Sequence, residues 1–577
     1  MATDTTAPPA QAPAGPKPSA VETIKGNSRF LRGTLAEQLA QDSDHFDEDA
    51  KQLLKFHGSY QQEDRDARKN RSREGVGKHY MFMVRTKQPG GKLTAAQYLT
   101  VDDLAGRYGN GTLRFTTRQG IQLHGVLKKN LKATIAGINA CLLSTMGACG
   151  DVNRNVMACP APLNDPVRKQ MQALADRIAA HLAPRGGAYH EIWLNGEPVY
   201  HDSVEEAEPI YGKVYLPRKF KTGFARPDDN CVDIYANDLG FLAVVENGEP
   251  VGYNVLVGGG MGRTQGKSET FPHLGRHICF VTPDEVVETA EAVVKLFRDH
   301  GNRSDRKRAR IKYLVHDWGV EGFREVLSGY LPVPLRMPRD VDVTAVDLHL
   351  GWHPQGDGKW FLGLSVENGR VRDEGPVRMR SGLRAIVEKY RPLVRVTPQQ
   401  DVLLCDLKTE DRAGVESLLN EYGIPRPENL SLLQRWSMAC PAIPTCGLAI
   451  SESERMLPGI VDQLEAQLRE LGLENVPISV RSTGCPNGCA RPYQSDIGIV
   501  GRSGEKYGLW VGGRSLGDRL NFLLQDLVHR DQIVPTLRKL LEHYKAERAD
   551  GEGFGDYCHR TGAERLRALI GAEAPKH

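Results

Sequence analysis

Short apolar runs bounded by glycine and polar residues recur along the chain. YMFMVRT from Tyr80 and TLRFTTRQGIQLHGV from Thr112 read as strands, and TVDDLAGRYG between them as a helix. VDIYAND, FLAVVENG and GYNVLVGG read as a second group of strands; VPISVRST, DIGIVG and GLWVGG read as a third. DEVVETAEAVVKLFRDHG and SESERMLPGIVDQLEAQLRELG carry apolar residues at helical spacing, and a serine is placed to cap the second. The alternation of elements predicts an α+β chain with mixed sheets.

The pattern is written twice. MACPA begins at Met157 and again at Met438, 281 residues on. At the same offset GKHYMFMV from Gly77 meets GKWFLGLS from Gly358, and LRFTTRQ from Leu113 meets VRVTPQQ from Val394. The last pair matches Arg114 with Arg395, Thr116 with Thr397 and Gln119 with Gln400. A looser pair, NVLVGGGMG and GLWVGGRSLG, matches at an offset of 254, as deletions in the second copy would produce. Each half therefore holds a small unit followed by a larger α/β unit.

The 577 residues are 40% hydrophobic and 25% charged, an ordinary soluble composition long enough for several cores. A formal charge of +3 gives no global field for nucleic acid. No apolar run reaches the length of a membrane span. The first residues, MATDTTAPPAQAPAGPKPSA, read as a disordered tail and not as a signal peptide. Eleven cysteines, an odd and mostly scattered number, fit a reducing cytoplasm.

Four cysteines stand apart: Cys440 and Cys446 as C-x5-C, then Cys485 and Cys489 as C-x3-C. Structural zinc is one reading, although its cysteine pairs are normally spaced more tightly. Four free buried thiols are another. An iron–sulfur cluster suits thiolates on Gly- and Pro-rich loops whose backbone wraps closely around sulfur. Cys159 in the first MACPA lacks such companions and reads as a vestigial half-site.

CPAIPTC followed by TGCPNGC resembles the signature of the sirohaem-containing sulfite and nitrite reductase family, and the likeness runs from FHGSYQQEDRD near Phe56 to GEGFGDY near Gly551. The resemblance implies an internally duplicated, pseudo-two-fold fold, with two ferredoxin-like units and two larger units around a central sirohaem. It divides the chain into a disordered tail (1–25), an N-terminal segment (26–76), a ferredoxin-like half (77–150), a sirohaem-binding unit (151–340), a second ferredoxin-like half (341–425) and a [4Fe–4S]/sirohaem unit (426–577). It implies that Cys440, Cys446, Cys485 and Cys489 bind a [4Fe–4S] cluster and that Cys489 also ligates the sirohaem iron.

A pocket for a carboxylate-rich macrocycle and an oxyanion needs cations. The resemblance assigns substrate contact to Arg85, Arg154, Lys219 and Lys221; PRKFKT places the two lysines on one side of a strand. It assigns the sirohaem periphery to Arg114, Thr116, Arg118, Gln122 and His124, read as one alternating strand face. Asn487 is expected to support the cluster loop. GNRSDRKRAR, with Arg303, Arg306, Lys307 and Arg310, reads either as a binder of sirohaem carboxylates or as an exposed basic helix. VGGGMG offers backbone amides to an anion. Asp401 departs from the family pattern of paired amides, which puts its carry-over in doubt.

The implied reaction is six-electron reduction of sulfite to sulfide, as in sulfate assimilation and cysteine biosynthesis. Ferredoxin-dependent nitrite reduction is the nearest rival; two lysines in PRKFK favour the more charged sulfite. A non-catalytic iron–sulfur electron carrier is the rival from another class, and it needs no cationic pocket. No strand–GxGxxG–helix unit is present, so electrons come from a separate donor. That partner is expected to be an NADPH-oxidising flavoprotein subunit, with ferredoxin as the alternative because FMVRTKQPGGK resembles the ferredoxin-dependent form.

Overall fold

The computed structural model describes residues 16–185, 191–194, 197–201 and 208–574. Most of the expected tail lies outside them, but its end is ordered. Ala20–Gly26 is a helix, and within it Glu22 and Lys25 are buried. Lys25 Nζ donates to Leu216 O at 2.7 Å and pairs with Glu22 at 2.6 Å. A buried, paired lysine is not tail, so the boundary expected at residue 25 moves back.

Each small unit is a five-stranded antiparallel sheet with helices on one side. The first runs Ser59–Glu63, Tyr80–Arg85, Ile121–Val126, Leu113–Phe115, Arg370–Val371. The second runs Gly351–Pro354, Trp360–Leu364, Val402–Leu407, Leu393–Val396, Lys92–Leu93. The last strand of each sheet comes from the other half of the chain. Arg370 pairs with Arg114, and Lys92 with Arg395. One hydrophobic core accordingly serves both sheets, from Phe82, Val84 and Leu123 through to Leu383, Val396 and Leu404. The helix predicted between the first strands is Ala95–Tyr108, opened by a Thr94–Gln97 capping box.

Each larger unit carries a sheet of its own. The first orders Thr222–Ala225, Leu239–Glu246, Glu249–Val257 and Arg276–Val281; Thr222–Ala225 is parallel to its neighbour and the remaining pairings are antiparallel. The second orders Ser437–Ala439, Val480–Thr483, Ile497–Ser503, Lys506–Val511 and Phe522–His529, parallel at the start and antiparallel after. Met157 bridges Gly223 in parallel just as Met438 pairs with Arg481, so both MACPA segments run along the same edge of equivalent sheets. Glu249–Val257 and Lys506–Val511 are the corresponding strands, and they hold the motif pair at offset 254.

Three expectations need correction. VDIYAND is not a strand: Asp233 takes a left-handed turn (φ 49°) into a 3-10 turn, Ile234–Ala236. The second long helix starts at Leu457, not at a serine cap: the buried Ser453 gives its hydroxyl to Ser482 Oγ at 3.0 Å instead. GNRSDRKRAR is a loop, and helix begins only at Ile311. Among the described residues, no helix is long and apolar enough to cross a membrane.

Candidate functional site

The first small sheet carries a row of polar residues across four strands. Arg85 is paired with Gln122, Gln122 with Arg114, and Arg114 with Arg370. Directly paired residues share a face, so the row projects to one side. Arg114 to His124 is thus a hairpin, not the single strand expected. It turns at residues 116–120, where the Thr116 hydroxyl accepts from Gly120 N at 3.0 Å and Gln119 is left-handed (φ 56°). Arg85 donates to Cys149 Sγ at 2.7 Å and, with the Gln122 amide oxygen turned towards it, to Gln122 at 3.1 Å. His124 is buried beside Gln122 (3.4 Å), with its Nδ1 unbonded. Burial, then Arg370, Arg114 and Arg85, hold it neutral, well below the ordinary histidine value.

Arg114 is committed to the protein. Its guanidinium reaches Glu454 (3.1 Å), Asn368 O (3.1 Å) and Ala439 O (2.8 Å), the last carbonyl before Cys440. Arg370 holds the same Glu454 at 2.7 Å and 3.0 Å. Arg114 therefore fixes the cluster segment from the sheet.

Lys219 and Lys221 lie in an extended segment ahead of the strand Thr222–Ala225, on either side of Phe220, which bridges Asn153. The strand expected to carry both lysines starts one residue after Lys221. Among the described residues neither lysine has a carboxylate partner within ion-pair range. Burial, then Arg154, Arg218 and Arg310, bring Lys219 down to about 7, while Cys489 acts in the opposite sense. Burial, Arg310, Lys219 and Arg118 depress Lys221 well below the lysine range. Arg118 donates to Asn155 O (2.6 Å), Asn237 Oδ1 (2.9 Å) and Thr222 O (3.1 Å), leaving its Nε unbonded. Arg154 is buried with an unbonded Nε and reaches the Tyr60 hydroxyl at 3.5 Å. A concentration of cations with unbonded N–H groups fits a polyanionic guest.

The GNRSDRKRAR loop divides. Arg310 is buried against Asp238 and Gly259 O, within electrostatic range of both lysines. Arg306 is bound to Asp151 (3.0 Å), and Arg303 to Glu22 and Tyr215 O. Lys307 is exposed. Glu22 and Asp151 thus turn Arg303 and Arg306 to tying the N-terminal helix down. In VGGGMG the amides of Gly258 and Gly260 already serve Asp238 O and His273 O. Lys312 donates to Gly260 O (3.1 Å) and Gly262 O (2.6 Å) of that loop, with burial and Arg310 bringing it down to about 6.

The four cysteines meet where two loops of the second larger unit converge. Cys440 and Cys485 are buried, Cys446 is half-buried and Cys489 exposed. Gly484 N donates to Cys440 Sγ at 3.3 Å, and Asn487 Nδ2 to Cys485 Sγ at 3.4 Å. Burial first, then Cys489 and Cys446, push Cys485 up to about 12, and Cys440 responds to all three other thiols. Four cysteines on two converging loops, with N–H donors already turned to the Cys440 and Cys485 sulfurs, fit a thiolate-bound cluster.

Two positioning residues, Arg491 and Arg481, carry no signal in the sequence. Arg491 donates to Asp233, to Thr117 O (3.2 Å) and to Pro398 O (2.9 Å), and so locks the Cys489 loop onto both hairpin turns. Arg481 shares Asp233 at 2.9 Å. Gln119 donates to Ala158 O (2.9 Å) and Gln400 to Ala439 O (3.0 Å), equivalent bonds to the two MACPA segments. Gln399 donates to Cys231 O at 2.9 Å. Asp401 does not stand among the cations. It accepts from Val366 N at 2.9 Å, and burial raises its carboxyl to about 7.

Comparison with known proteins agrees with this layout. A model of the nitrite and sulphite reductase 4Fe-4S domain matches residues 174–335 and 435–577. One of the nitrite/sulfite reductase ferredoxin-like half domain matches 74–141 and 353–422. The chain belongs to the nitrite and sulphite reductase family. The family's cofactor pair is a [4Fe–4S] cluster and sirohaem, and the four thiols and the cationic walls suit them. The chain is 44% identical to a sulfite reductase [ferredoxin] of Synechococcus elongatus, over 96% of this chain and 90% of that one. It is 45% identical to a sulfite reductase [NADPH] hemoprotein beta-component of a Paenibacillus species, over 95% and 96%. The solved Mycobacterium tuberculosis NirA protein superposes with a TM-score of 0.77 at 25% identity, covering 96% of this chain and 98% of that one.

Proposed function

We propose that this protein reduces sulfite to sulfide, a six-electron change in which each sulfite oxygen leaves as water. The observation that carries the reading is the pair Lys219 and Lys221, without carboxylate partners and grouped with Arg154, Arg118 and Arg310 on the side of Cys489. Sirohaem and the [4Fe–4S] cluster, the latter held by Cys440, Cys446, Cys485 and Cys489, supply electrons that no side chain can. Arg85 and Arg154 hold the anion by charge-assisted hydrogen bonds. Lys219 Nζ, with a pKa near neutrality, gives up a proton as a sulfur–oxygen bond breaks and regains one from solvent. Arg310 depresses both lysines further and Arg118 depresses Lys221, while both arginines contribute positive potential to the walls.

The electron donor is a separate protein, an NADPH-oxidising flavoprotein in our reading, and the enzyme works in the cytoplasm. Relatives named for ferredoxin and for NADPH are both close to this chain. The test is sulfide production by the anaerobic holoenzyme, with reduced ferredoxin in one tube and NADPH plus a flavoprotein reductase in the other. Turnover only in the second supports the flavoprotein, and turnover only in the first replaces it with ferredoxin. No sulfide in either, with ammonia formed from nitrite, overturns sulfite as substrate.

A further inference from the structure

The first MACPA segment does not stand alone. Cys159, Asp229, Cys231 and His349 bring one sulfur, carboxylate or imidazole donor atom each to within 4.8 Å of one another. All four are buried, at 0–2% exposure. Cys159 Sγ lies 2.9 Å from Asp229 Oδ2 and 3.4 Å from His349 Nε2. His349 Nε2 is 3.1 Å from the same carboxylate oxygen. We propose that these four side chains bind a structural zinc ion, a metal centre distinct from the iron–sulfur cluster and occupying the equivalent place in the first half of the fold.

Three features favour a metal over a self-contained hydrogen-bonded knot. The first is donor chemistry. Two thiols, one imidazole and one carboxylate make a four-donor set of the kind tetrahedral zinc takes, and a closed set of protein ligands marks a structural site. Zinc bonds of about 2.0–2.3 Å space their donors at under about 4 Å, so small side-chain rotations close the shell. The second is the surrounding shell. Asp347 stands 3.3 Å from His349 Nδ1, a carboxylate placed to orient a histidine whose other nitrogen faces the metal. The third is charge. Two thiolates and a carboxylate around a divalent ion leave one net negative charge, and Arg168 Nη2 meets Asp229 Oδ2 at 3.3 Å to balance it.

The ligands come from three separated segments. Cys159 is the middle residue of the first MACPA run, Asp229 and Cys231 sit in the turn before Asp233, and His349 is in the connection entering the second small unit. A zinc here clamps that connection to the first larger unit. Through the Cys231 carbonyl and Asp233, it also steadies the residues that hold Gln399 and Arg491. Burial leaves no path for a substrate, so the role is structural.

The experiment is metal analysis of the purified holoenzyme by mass spectrometry, with iron and zinc counted against protein, together with zinc K-edge absorption. About one zinc per chain is expected, with two sulfur neighbours near 2.3 Å and two lighter ones near 2.0 Å. Cys231→Ser is expected to lose at least tenfold in zinc content while keeping cluster and sirohaem absorption. Cys558→Ser, at a buried cysteine in the other half, is expected to keep its zinc. Wild-type protein with under a tenth of an equivalent of zinc after growth in zinc-supplemented medium overturns the proposal. So does zinc with only oxygen and nitrogen neighbours, or iron in excess of cluster plus haem in its place. If Cys231→Ser fails to fold, the wild-type metal count and sulfur coordination still decide the matter.

Discussion

Replacing Lys219 by methionine keeps the unbranched stem of the side chain and removes its terminal amine, with the charge and proton. Two losses follow. A charge-assisted hydrogen bond to a buried anion is worth about 1.5–3 kcal/mol, roughly 10- to 150-fold in affinity. Positioned general acid catalysis contributes about 10²–10⁴-fold. Because Lys221 remains nearby to deliver protons less directly, the lower end is expected: kcat down about 100-fold and kcat/KM down about 1000-fold. The pH profile separates this role from a structural one. Lys219 is depressed to about 7, so the free protein loses its proton as pH rises through that value. Bound anionic cofactor moves this point upward. The wild-type advantage in kcat/KM is therefore greatest near pH 6 and shrinks through and above 7; sulfite's own titration cancels in the ratio. The assay is steady-state sulfide formation from pH 6 to 9.5, with sirohaem absorption recorded for each preparation. An unchanged ratio across that range, or K219M within twofold of wild type, would refute the reasoning. Loss of sirohaem from K219M would make the lysine a cofactor-holding residue instead.

Other expectations follow from the same geometry. Against the upward push of burial, Arg370 and Arg114 hold Glu454 below the usual carboxylate range. Glu454→Gln leaves two nearly buried guanidinium groups without a counter-charge, so urea unfolding is expected to show a loss of about 3 kcal/mol with unchanged slope. Asp401 sits at about 7 because of burial, well above its unfolded value near 3.9. The folded state then holds the proton more tightly, so Asp401 lowers stability progressively from pH 4 to 7 and by a constant amount above. Asp401→Asn is expected to unfold like wild type at pH 4 and to be more stable by about 1–4 kcal/mol at pH 8. Cys485→Ser is expected to lose cluster iron and its visible absorption, as measured by iron content and spectrum.

The duplication was legible because both copies answer to the same packing, and Gln119 and Gln400 still make equivalent bonds to equivalent carbonyls. The cysteine loops were legible because spacing and Gly/Pro content are local properties. What failed was long-range. VDIYAND has strand-like composition, but Asp233 is held in a left-handed turn by Arg481 and Arg491, some 250 residues on. The cations of GNRSDRKRAR could not be sorted without knowing that Glu22, Asp151 and Asp238 would meet three of them. Cys159 looked isolated since Asp229, Cys231 and His349 share no spacing rule with it. Resemblance pointed to Lys219 and Lys221, but their lack of carboxylate partners is a property of the folded pocket.

The exchange of Lys92–Leu93 and Arg370–Val371 between the small sheets bears on how the protein is made. During translation, the strand Leu113–Phe115 leaves the ribosome with its outer edge unpaired and stays so until residue 371 emerges. At about 5–20 residues per second that wait is on the order of 10–50 s. An open edge held that long invites pairing with a neighbouring nascent chain, so yield is set by what shields it in the meantime. Splitting the gene between the halves leaves each fragment short of one strand, and neither sheet closes until the fragments meet.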